Sequence, residues 1–132
     1  MTRRQLRENI FKILFKLEFN SVDEMSEQMG FSLDNIEDIE EKDMNYITDK
    51  TNKIISLISD IDAIISQVSE GWKLDRIGKA ELAILRLAIY EMKFDEDVPF
   101  KVAINEAVEL SKIYCNEESK SFVNGILAKV EE

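Results

Sequence analysis

Apolar positions recur along this chain at the spacing of helices rather than strands. Over residues 3 to 19, Leu6, Ile10, Ile13, Leu14 and Leu17 fall on one side at 100° per residue, which predicts an amphipathic helix. Thr2 is placed to cap it, and Glu8 and Lys12 form an i,i+4 pair in the favourable order. Ser21 opens a short helix expected to stop at Gly30, after which Phe31, Leu33, Ile36 and Ile39 punctuate an acidic loop. Residues 41 to 58 carry a second long helical pattern through Met44, Ile47, Ile54, Ile55 and Ile58. Ile61, Ile64, Ile65 and Val68 continue it, either past a break capped by Ser59 or Asp60 or around a bend. Gly71 closes this stretch, and Trp72 opens a connector that runs to Ile77.

The remaining pattern predicts three more helices. Residues 78 to 94 turn Leu82, Leu85, Ile89 and Met92 inward, with Ala83 and Ala88 allowing close approach. Pro99 suits the first position of the next helix, because its missing N–H needs no partner there. That helix runs to about Tyr114. Asn116 caps the last one, with Glu117 and Glu118 set against the positive end of its dipole. Asn105 and Asn124 are polar residues inside apolar helices and are expected to satisfy a backbone group or cap a loop. Gly125, costly in mid-helix, is expected to let another helix come close. The whole predicts an all-α protein, a compact bundle of six to seven helices in two helical subdomains. One domain spans 1–132, with an N-terminal half over 1–70 and a C-terminal half over 71–132.

Composition removes most chemistry. With 45% apolar residues and 33% charged in 132, the chain has the apolar content that disordered chains lack. No segment approaches the roughly 18 apolar residues of a membrane span, and no uninterrupted apolar stretch follows the basic start as a signal peptide requires. Cys115 stands alone, so no intramolecular disulfide forms, and a cytoplasmic protein is expected. There is no histidine, which removes His-ligated metals and His-assisted nucleophiles, and there is no Gly-rich phosphate loop. The carboxylates sit where solvated helix faces place them. No catalytic residue, metal or cofactor is expected.

Charge distribution redirects the question to binding. The net charge is −10, yet residues 1 to 20 carry +3 and residues 21 to 49 carry −9. Three of the five arginines fall in the first seven residues. Arg3, Arg4 and Arg7, with Lys12 and Lys16, could neutralise phosphates, and Arg does so bidentately. Phe11 and Phe15 lie beside Arg4 on the helical wheel, where bases could stack, although both residues would equally serve as core packing.

Several blocks, in order, resemble the NusB family of bacterial antitermination factors. RRQLRENIFKILFKLEF (3 to 19) looks like its arginine-rich first helix. GWKLDRIGKAELAILRLAIYEM (71 to 92), DVPFKVAINEAVELSKIY (97 to 114) and ESKSFVNGIL (118 to 127) look like its C-terminal blocks. Residues 21 to 70 match only in helical outline. The resemblance implies a non-enzymatic factor that binds the boxA RNA of rRNA operon leaders together with the small-subunit ribosomal protein NusE. It further implies a larger complex with NusA, NusG and RNA polymerase. RNA contacts are implied at Arg3, Arg4, Arg7, Lys101, Glu118, Lys120 and Phe122, and partner contacts at Phe15 and Glu81. Phe15 stands where a tyrosine is expected, so a hydroxyl is lost there. The alternatives are a helical protein–protein adaptor, or a stand-alone relative of the N-terminal module of an rRNA cytosine methyltransferase. A homodimer that buries the first helix is a further option.

Overall fold

A computed structural model describes residues 1–69 and 73–131; Gly71 and Trp72, read above as a helix end and the start of a connector, lie outside them. The described residues form seven α-helices and three 3-10 turns, with no strand. They divide into two compact units, Met1–Ser56 and Leu57–Glu132. This boundary falls ahead of the 70/71 division read from the sequence. The reason is α4 (Ile58–Val68), which packs on α5 (Lys79–Lys93) and touches α7 (Glu117–Leu127). Its Ile61 and Ile65, one turn apart, are fully buried.

In the first unit, α1 (Arg3–Phe15) opens with a reciprocal cap. Thr2 Oγ1 accepts the Gln5 N–H at 3.1 Å, and Gln5 Oε1 accepts the Thr2 N–H at 2.9 Å. The helix buries Ile10, Phe11, Ile13 and Leu14, packs on α3 (Glu41–Ser56), and tightens into a 3-10 turn over Lys16–Glu18. Asp43, buried near the start of α3, accepts the Met1 ammonium at 2.9 Å. Ser21 does cap, through a box with Glu24 on the turn Val22–Glu24. The following α2 (Met25–Asp34) nevertheless runs through Gly30, against expectation. Glycine costs a helix about 1 kcal/mol but ends one only where the backbone turns left-handed, and Gly30 does not. Met25 and Met29, both buried one turn apart, hold the helix in place, so Phe31 and Leu33 are helical rather than loop residues.

In the second unit the long isoleucine pattern restarts after Leu57, which leaves helical geometry (φ −106°, ψ 13°); Ser59 and Asp60 lie inside α4 and cap nothing. α5 is the core element. The sequence predicts one inward face, but Ala83, Ile84, Leu87 and Tyr90 are buried along with Leu82, Leu85 and Ile89. A helix apolar all round is a buried helix. It packs against α4, α6 (Phe100–Tyr114) and α7. Arg86 clamps α5 to α4 with a two-pronged bond to Asp62, Nε to Oδ1 and Nη2 to Oδ2, both 2.9 Å. Pro99 is the N-cap of α6, one residue ahead of the predicted first position. Asn105 and Asn124 are exposed, so water satisfies them and neither serves the core. Gly125 also faces open space: a Cβ there would meet nothing within 4 Å among the described residues, so no helix packs against it.

Candidate nucleic-acid interface

The arginine-rich start of α1 divides on inspection. Arg3 and Arg4 are exposed, while Arg7 is only 9% exposed; Arg4 and Arg7 each have an interaction partner. Phe11 is core, at 3% exposure, so it offers no face to a base. Arg3 and Arg4 occupy the first two helical positions, and no acid shares that turn. Cations at the positive end of a helix dipole lose about 0.3–1 kcal/mol each. The Thr2–Gln5 box holds the helix end together despite this. Two exposed guanidinium groups at a dipole-positive terminus are suited to meeting an anion, even on an acidic chain.

In the second unit, Glu118, Lys120 and Phe122 all project from the first half of α7, but from different sides. The buried stripe of α7 is Ser119, Val123, Ile126 and Leu127. Glu118 and Phe122, one turn apart, flank it on one side, while Lys120 lies on the other and pairs with Glu117 at 3.8 Å. Lys120 also lines a cleft of about 260 Å³ with Lys112, Cys115, Asn116 and Glu117. Lys101 is exposed in the first turn of α6, separated from the α6–α7 turn by most of that helix, about 20 Å at 1.5 Å per residue. Thus Glu118 and Phe122 share one side of α7, Lys120 lies on its other side, and Lys101 stands at the far end of α6 from the α6–α7 turn.

The two residues expected to meet a protein partner sit in different settings. Phe15 is half-buried at the end of α1, its ring edge-on to Phe19 at 5.4 Å between centroids and tilted against Phe11 at 6.3 Å. Phe19 is 60% exposed, so this aromatic row runs from core to surface. Glu81, half-buried, is in the first turn of α5. Its carboxylate lies over Gly78, where any Cβ would collide with it. Its Oε1 accepts the Ser119 hydroxyl at 3.0 Å, across to α7. Next to this pair the Cys115 thiol is pushed up to about 12, by burial first and then by hydrogen bonding to Glu81 and its negative charge, with Ser119 opposing them. A thiol so protonated is no nucleophile.

A model of the NusB family matches residues 4–132. The chain belongs to the NusB family. A transcription antitermination protein NusB from Agathobacter rectalis is 49% identical over 129 residues, 98% of each chain. The solved structure of T. maritima NusB superposes with a TM-score of 0.83 at 34% identity, covering 98% of this chain and 89% of that one. A solved complex of the antitermination factors NusB and NusE with double-stranded RNA matches with a TM-score of 0.77 at 26% identity, over 97% of this chain and 96% of that one. The all-α fold expected of a NusB-family chain is thus borne out. Within this NusB fold no helix among the described residues is long and apolar enough to cross a membrane, and no group of three metal-ligating side chains forms among them. Two positions were not singled out from the sequence. Phe19 continues the i,i+4 row of Phe11 and Phe15, a visible spacing. Ser119 looks like any polar residue in a first turn, and only the tertiary contact with Glu81 marks it.

Proposed function

We propose that this protein is an antitermination factor that binds boxA-type RNA jointly with NusE, and through that pair joins a complex with NusA, NusG and RNA polymerase. The observation that carries the reading is the capped α1 terminus, which presents Arg3 and Arg4 to solvent in a chain that belongs to the NusB family over nearly its whole length. A solved NusB–NusE–RNA complex of the same fold adds support. Arg3 and Arg4 contact phosphates. Arg7, being buried, acts by holding the start of α1 rather than by reaching the RNA. On α7, Phe122 stacks against a base and Glu118 accepts from base donors, while Lys120 and Lys101 contact phosphates at the edges. Phe15 and Glu81 meet NusE, the first by apolar contact and the second by pairing with a cation. No bond is made or broken: the protein holds a transcript in place.

The test is fluorescence anisotropy with a labelled boxA RNA, with and without NusE. NusE is expected to tighten RNA binding, and Glu81→Gln is expected to weaken NusE binding about tenfold or more. RNA affinity that NusE leaves unchanged would refute the joint mechanism.

A further inference from the structure

Ser119 holds a buried hydroxyl between two acceptors. Its Oγ lies 3.0 Å from Glu81 Oε1 and 3.0 Å from Asn116 Oδ1, and the residue is 7% exposed. A hydroxyl carries one proton and can donate to only one of them at a time. Asn116 Oδ1 already accepts the Ser119 N–H at 3.1 Å, as the N-cap of α7, and its second lone pair is free for the hydroxyl. The Glu81 carboxylate can therefore leave without stranding the Ser119 hydroxyl. Gly78 gives that carboxylate its seat, since any side chain there would displace it.

We propose that Ser119 is a positioning residue that couples the partner face at Glu81 to the RNA face of α7, by turning its hydroxyl from Glu81 to Asn116 when a cationic partner group takes the carboxylate. This rests on the roles given above to Glu81 and α7. With Glu81 engaged by the partner, the α7 cap receives two bonds from Ser119 instead of one. The first turn, which carries Glu118 and is followed one turn later by Phe122, is then held more firmly for RNA. Coupling of this kind is reciprocal: RNA bound to α7 also frees Glu81 for the partner. Cys115 supplies a built-in reporter, because the Glu81 carboxylate is one of the groups that keep its thiol protonated.

The experiment measures RNA affinity with and without NusE, the ratio being the coupling factor, for the wild type, Ser119→Ala and Gly78→Ala. In Ser119→Ala, the coupling factor is expected to fall about fivefold or more, the scale of ordinary allosteric coupling, while NusE binding and the thermal transition change little. In Gly78→Ala the carboxylate is displaced in advance. RNA affinity without NusE should then rise toward the NusE-bound value, and Cys115 should alkylate faster at pH 9. Wild-type coupling retained in both variants overturns the inference alone. If the wild type shows no coupling, or Glu81→Gln leaves NusE binding intact, the functional reading falls as well. Should Ser119→Ala fail to fold, Gly78→Ala decides by itself, because it changes only the end of a flexible side chain's seat.

Discussion

Thr51 is the clearest place where one atom sets a measurable cost. It is fully buried in α3, and its Oγ1 has no hydrogen-bond partner among the described residues. An unsatisfied buried polar group costs about 1–3 kcal/mol. Valine keeps the shape and β-branching and removes the hydroxyl, so Thr51→Val is expected to raise stability by roughly 1 kcal/mol. Urea unfolding checks this, and a lower midpoint would mean the hydroxyl has found a partner. Cys115 gives a pH prediction. Its thiol is held at about 12 in the fold against an ordinary 9.0. Below pH 9 both states are protonated and nothing changes. Between the two values the unfolded thiol ionises and the folded one does not, so stability falls as pH rises from 9 toward 12. Cys115→Ser should flatten that part of the stability–pH curve. Neither effect was legible in the sequence. Thr51 reads as one more polar residue in an amphipathic helix, and Cys115 meets Glu81 only through the pairing of α5 with the α6–α7 turn. The Thr2 and Asn116 caps were legible, because capping is local chemistry between residues three apart.

At the scale of elements, periodicity located the helical segments but did not separate α3 from α4, and it misjudged what ends a helix. Gly30, by its type a helix stop, is passed through; Leu57, unremarkable by type, is where the long isoleucine pattern breaks. Glycine ends helices through left-handed geometry, and sequence shows the residue but not the angle. Burial was also under-read at α5, because a single sequence does not say how many neighbours a helix has. Gly125 offers a direct test of the outer face of α7. It faces open space, so Gly125→Ala meets no clash and should stabilise by about 0.5–1 kcal/mol in thermal unfolding. The Arg86–Asp62 fork tests the clamp between α4 and α5. Its two side chains are 11% and 21% exposed. Lysine is a point charge without the planar fork, so Arg86→Lys should not restore the clamp and should cost about 1.5–3 kcal/mol, like Asp62→Ala. A double variant no worse than either single one would locate the loss in this pair.

The whole molecule poses an electrostatic puzzle: a chain of net charge −10 is proposed to hold a polyanion. Long-range repulsion is screened beyond about 8 Å at physiological salt, whereas a guanidinium in contact with phosphate is not. Binding can then be local and still strong, provided the cations stand at the surface. Arg3 and Arg4 meet that condition, and the dipole of α1 adds to them; Arg7 does not. The two classes of arginine must therefore separate in experiment. Replacing Arg3 and Arg4 together with glutamate should leave the melting temperature nearly unchanged, weaken RNA binding, and cut the slope of log affinity against log salt by about 1.4, or 0.7 per lost single-strand phosphate. Arg7→Glu should instead lower the melting temperature, because it places a carboxylate at a buried position. Salt titrations of RNA binding at several concentrations, run beside thermal melts of the same preparations, distinguish these outcomes. A slope that survives the Arg3 and Arg4 double replacement would show that phosphate recognition lies elsewhere on the chain, and an Arg7 variant that melts normally but loses the slope would make the buried guanidinium the true phosphate contact.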